Sequence, residues 1–117
     1  MKRTIEHFLE DIIEHSQMAN DFVIDVTLDE FKTDKMRFMA TTRTLEIVGE
    51  ALNHIPEDIR NKYPQIAWRD VIGLRNKIAH VYFGLNSEIV YYAAKDEVFQ
   101  LIEHISLILQ DYRDGVI

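Results

Sequence analysis

Apolar residues recur along this chain at the three- and four-residue intervals of an α-helix, and that spacing narrows the possible folds more than any other feature. Ile5, Phe8, Leu9, Ile12 and Ile13 follow the i, i+3, i+4, i+7, i+8 order of one buried helical face. Thr27, with Glu30 three residues on, predicts a capping box and a short helical turn through Leu28 and Phe31. A long second helix is expected from Thr33 or Asp34, with Met36, Met39, Ala40, Ile47, Val48, Ala51 and Leu52 as its core stripe. Pro56 ends it, because the proline ring disfavours helical geometry in the residue before it. Between Pro56 and Pro64 only a short turn of helix fits. A third helix is predicted from about Trp68 to His80 or Tyr82, with Gly73 inside it. Gly84 closes that region, and Asn86 or Ser87 caps a fourth helix. Its apolar positions run from Ile89 through Leu101 and Ile105 to Tyr112 and stop at Gly115. The expectation is an all-α bundle of four to five helices, one domain over residues 1–117.

Composition removes several classes of function. The chain has no cysteine, which excludes a disulfide scaffold, a cysteine nucleophile and thiolate-held zinc. Its longest apolar run, Ile89 to Ala94, is six residues, far too short to span a membrane. Lys2 and Arg3 are followed by polar and acidic residues, so no secretory signal is visible and a cytoplasmic location is expected. The net charge of −7 argues at first against nucleic acid, but it hides a segregation. Residues 60–82 carry Arg60, Lys62, Arg69, Arg75 and Lys77 against Asp70 alone, a +4 segment in an otherwise acidic chain.

The common catalytic signatures are absent. The four glycines are too scattered for a phosphate loop, and there is neither a Gly-x-Ser-x-Gly elbow nor a His-Glu-x-x-His pair. His7, Asp11 and His15 lie on the polar face of the first helix, but His7 and His15 are ~12 Å apart along the axis, too far for one ion. A solvated polar face is the expected reading, and no metal site is assigned. His54 and His104 are read as surface or boundary residues. Tyr91, Tyr92, Phe99 and Tyr112 are spaced for core or interface packing, and Trp68 is expected to anchor the start of the third helix.

The chemistry concentrates between Gly73 and Gly84, where Arg75, Asn76, Lys77, His80 and Tyr82 fall within eight residues. A guanidinium binds phosphate bidentately and stabilises charge that develops in a transition state. A histidine titrating near neutrality exchanges a proton with a ribose 2′-hydroxyl or with the leaving oxygen, and no metal is needed. On a continuous helix, however, Arg75 and His80 project ~140° apart. Either the helix breaks near His80, or a second copy of the chain completes the site. Two such helices side by side would form one cleft, and repulsion between the basic segments would favour a polyanion between them. A buried histidine and tyrosine satisfying hydrogen bonds inside a bundle would account for the same residue types.

At these residues the sequence resembles the HEPN superfamily, and specifically its HepT-like toxin branch. The motif of that branch is Arg, four residues, His, one residue, Tyr, and Arg75, His80 and Tyr82 fit it without a gap. Phe8-Leu-Glu-Asp, Leu45-Glu-Ile-Val-Gly-Glu-Ala51, Tyr63-Pro-Gln-Ile-Ala-Trp-Arg69 and Tyr82-Phe-Gly84 extend the likeness over nearly the whole chain. The resemblance implies a homodimeric HEPN-type bundle with both motifs at the interface. It also implies a metal-independent endoribonuclease without cofactor, the toxin of a type II-like toxin–antitoxin pair. Its partners would be RNA and a minimal nucleotidyltransferase antitoxin, which adenylylates the motif tyrosine and can join it in a larger complex. Carried over, Arg75 holds the scissile phosphate and His80 moves the proton. Asn76 and Lys77 support them on the RNA, and Tyr82 receives AMP. Val81 stands where the family often has an acidic residue, which removes a local carboxylate and leaves Arg75, His80 and Tyr82 intact. The alternative is a non-catalytic subunit that binds nucleotide or partner and regulates a nucleotidyltransferase.

Overall fold

A computed structural model describes residues 3–81 and 87–117, with backbone alone for 74, 75 and 78–81. Its elements in chain order are α1 (Ile5–Val23), α2 (Leu28–Thr33), α3 (Lys35–Leu52), α4 (Glu57–Asn61), α5 (Trp68–Val81), α6 (Ser87–Tyr92), a π-helical turn (Ala93–Glu97) and α7 (Val98–Arg113). No strand occurs among the described residues, so the all-α expectation holds.

Helix starts are specified by side-chain caps. Thr4 caps α1, with its hydroxyl accepting from the His7 N–H while the His7 ring accepts the Thr4 N–H. Thr27 and Glu30 form the predicted reciprocal box at α2. Asp34 accepts from the Arg37 N–H at 3.0 Å, so α3 begins at Lys35, just after the Thr33 or Asp34 expected to start it. The stop at Gly115 is also as predicted. With φ +74° it adopts the left-handed geometry that glycine tolerates, and the Val116 N–H reaches back to the Asp111 carbonyl at 2.9 Å.

Leu9 and Ile12 of α1 are fully buried between α3 and α7, against Val48, Leu52, Leu101, Ile105 and Ile108. Ile5, Phe8 and Ile13 flank that core as half-buried neighbours. Towards the other end, Ala19 and Val23 meet Phe31, Leu45, Tyr91 and Ala94 in a second cluster. Arg113 near the end of α7 bonds Glu6 at 2.7 Å and Glu10 at 3.2 Å, tying that helix to the first turns of α1.

Two expectations need correction. The core stripe of α3 starts one turn later than predicted, with Met36 82% and Met39 68% exposed. The buried face is Thr41, Thr44, Leu45, Val48, Ala51 and Leu52. Thr41 and Thr44 can be buried because their hydroxyls donate back to the Arg37 and Ala40 carbonyls at 2.7 and 2.8 Å, so neither of these two hydroxyls lacks a partner. The fourth predicted helix is not continuous: a π turn separates α6 from α7. Asn20 on α1, 1% exposed, donates its amide to the carbonyls of Ala94 and Lys95, each at 3.1 Å. A π turn leaves carbonyls without their usual i+4 partners, and a buried amide aimed at them makes the wider turn tolerable.

Candidate active site

The helix that carries the motif is positioned from its N-terminal end. Trp68, its first residue, donates its indole N–H to the Arg60 and Tyr63 carbonyls at 3.1 and 3.2 Å, so the anchoring role expected of it is seen. Arg60 lies over the Trp68 ring at 5.7 Å and donates to the Leu52 carbonyl. Tyr63, 4% exposed, donates its hydroxyl to Asp111 of α7 at 2.6 Å. Burial, then the hydrogen bond to Asp111 and its charge, pushes this phenol up to about 12. Arg60 therefore works in the scaffold and does not face a ligand, which shrinks the cationic footprint read from the charge count.

From Trp68 the backbone stays helical to Val81. That continuity removes a break before His80 and leaves Arg75 and His80 ~140° apart around one helix. Asn76 and Lys77 are both exposed on α5. The side chains of Arg75 and His80, and Tyr82 altogether, lie outside the described residues.

Asp70, Gly73 and Lys77 recur at i, i+3, i+7 on α5, and Glu97, Gln100 and His104 repeat the same spacing at the π turn and along α7. The two rows line a groove of about 530 Å³ floored by Val71 and Leu101. Across it, Lys77 Nζ pairs with Glu97 Oε1 at 3.5 Å. His104, half-buried, lines this groove, which sharpens its reading as a boundary residue. Neither the groove nor the role of Glu97 was expected, because Glu97 is twenty residues from Lys77 and only the packing of two helices brings them together.

With this geometry in hand, the chain matches the family model described as "Ribonuclease HepT-like" over residues 4–108. The chain belongs to the HepT-like ribonuclease family. Of its relatives, "Putative RNase MJ0127" of Methanocaldococcus jannaschii is 42% identical over 94% of this chain and 91% of its own length. "Putative RNase MJ1380" of the same organism is 35% identical over 92% and 98%. "Probable ribonuclease HepT" of Thermococcus cleftensis is 35% identical over 84% and 89%. No solved structure matches the chain.

In this HepT-like chain the other candidates are engaged in structure. Asp11 pairs with Arg3, and the His15 ring contacts the Asp11 carbonyl at 2.9 Å. Asp11, Glu14 and His15 bring ligand atoms within 4.8 Å of one another, a closer set than His7, Asp11 and His15, but the Arg3 guanidinium already balances Asp11. His54 stacks on Phe8 with ring centroids 4.2 Å apart. Tyr91 is buried and donates to the Val26 carbonyl at 2.6 Å, and Tyr112 packs beside the core, as their spacing suggested. Tyr92 and Phe99 are exposed. No helix among the described residues is long and apolar enough to cross a membrane.

Proposed function

We propose that this chain is a metal-independent endoribonuclease whose site is completed by a second copy, and that it acts as the toxin of a toxin–antitoxin pair. One observation carries the two-chain site: α5 remains helical through Val81, so positions 75 and 80 of one chain lie about 140° apart around its axis. Side-by-side α5 helices related by a two-fold axis present Arg75 of one protomer beside His80 of the other. The exposed Asn76 and Lys77 flank that line and contact the RNA. Membership of the HepT-like family and the ribonuclease names of its relatives support RNA as substrate.

In the proposed reaction Arg75 holds the scissile phosphate through paired N–H donors and stabilises its developing charge. His80 takes the proton of the ribose 2′-hydroxyl or gives one to the leaving oxygen. Neither role draws on a metal. Tyr82 is the position at which a minimal nucleotidyltransferase adds AMP, and the added charge and bulk beside a phosphate site block RNA by repulsion and sterics.

The test incubates wild type and His80→Ala with RNA in chelator. Decay by wild type alone supports the nuclease; equal decay in both samples sinks it and favours a non-catalytic regulatory subunit. Intact-mass measurement of Tyr82→Phe with the nucleotidyltransferase and ATP tests the acceptor, which is misassigned if the variant gains AMP as readily as wild type.

A further inference from the structure

The groove between α5 and α7 takes no part in the chemistry assigned to Arg75 and His80, yet it runs beside the motif. Gly73 and Lys77 line it, and His80, seven residues after Gly73, occupies the same helical register. Arg75 sits about 160° round the helix from that register. We propose that this groove is a base pocket for RNA on the His80 side of the site, and that it selects guanine. The ligand class rests on the nuclease reading; the choice of base rests on the groove itself.

Its volume, about 530 Å³, lies in the range of pockets that take small ligands, and Val71 and Leu101 give it an apolar floor. The walls carry two carboxylates, Asp70 and Glu97, against two cations, Arg69 and Lys77, so the lining has no net positive charge to draw a phosphate in and suits a neutral base with both donors and acceptors. Carboxylates only accept hydrogen bonds and a lysine only donates them, so the base must offer donors and acceptors together. Guanine places N1–H and the 2-amino group side by side for a carboxylate, and O6 with N7 for a lysine. The Asp70 backbone N–H donates to the Ala67 carbonyl, but its carboxylate accepts no hydrogen bond from a described residue and can take the donor edge. Lys77, paired with Glu97 across the groove, reaches the acceptor edge, with Gln100 and His104 alongside. Adenine lacks the N1–H and cytosine lacks N7. Uracil has no amino group and offers a carboxylate only its single N3–H, one donor where guanine offers two, so it is the weakest fit.

The test titrates GMP, AMP, CMP and UMP separately into the full chain and follows amide resonances. GMP should shift the Gly73 and Gln100 signals and bind at least about tenfold more tightly than UMP, the size of one well-placed base contact. Asp70 is exposed, so Asp70→Asn should fold, as circular dichroism can verify, and should bring the ratio close to one. Equal binding of all four nucleotides, shifts confined to other surfaces, or an unchanged ratio in Asp70→Asn would overturn the pocket. The nuclease reading fails separately. A chain with an Asp70-dependent preference for GMP that leaves RNA intact keeps the pocket and loses the nuclease, whereas a chain that cleaves RNA but binds the four alike loses the pocket alone.

Discussion

Tyr63 and Lys77 show how differently two polar side chains can serve the same helix. The Tyr63 hydroxyl, bonded to Asp111 at 2.6 Å, links the approach to α5 with α7. Removing it in Tyr63→Phe leaves Asp111 with one fewer donor and should cost about 1–2 kcal/mol in urea unfolding. The same contact sets a limit in base. The folded phenol titrates near 12 against an ordinary 10.0, so its stabilisation is complete below pH 10 and is lost as pH rises towards 12. Alkaline unfolding monitored by fluorescence should therefore begin earlier in wild type than the titration of Tyr63 alone would suggest, and Tyr63→Phe should flatten that limb. Lys77, by contrast, is 56% exposed and its pair with Glu97 is a surface pair that contributes little to stability. Lys77→Ala should leave the melting temperature nearly unchanged and weaken RNA binding, as a titration with labelled RNA would read. At this scale the sequence was informative about Lys77, because a cation beside Arg75 is visible locally. Glu97 was not visible, because nothing in local spacing says which distant carboxylate a helix will meet.

Among the elements, the π turn is the one that periodicity misses. Ala93 and Ala94 continue the apolar pattern of α6 into α7, so a straight helix reads equally well from the side chains alone. The deciding residue is Asn20, on another helix, whose amide serves two carbonyls of the turn. Asn20→Leu removes both hydrogen bonds from a buried position and should destabilise the fold by about 2–4 kcal/mol, measured by chemical unfolding. The misplaced stripe of α3 has a related cause: Thr41 and Thr44 look polar in a pattern search but conceal their hydroxyls against their own helix. Helix boundaries were legible wherever a cap is local, as with Thr27 and Glu30 and with Gly115, whereas α3 stops at Leu52, ahead of the Pro56 expected to end it. Hydrogen bonds from the Thr27 backbone and side chain hold the Glu30 carboxyl below its usual 4.5, and that from the Arg37 backbone holds Asp34 below 3.8. Depressed carboxylates stabilise above their ordinary range and lose that effect as pH falls through their folded values. Acid unfolding of α2 and α3 by circular dichroism should thus be shallower in Glu30→Gln.

On the scale of the whole molecule, the proposed two-chain site makes a quantitative demand. Arg75→Ala and His80→Ala should each be inactive as homodimers. Mixed after unfolding together, they should regain up to about a quarter of wild-type RNA cleavage, because half the dimers are hybrids with one intact site of two. No recovery despite subunit exchange would mean that each chain carries its own site.

The position of α1 between α3 and α7 has a consequence for how the protein comes into being. α1 is synthesised before α7, yet it finds the partners of Leu9 and Ile12 there, and the partner of Glu6 and Glu10 at Arg113. Such pairings are distant in sequence, so the core closes late and the nascent chain holds an unfinished bundle until α7 is released. The activity proposed for α5 therefore waits until translation has passed Arg113.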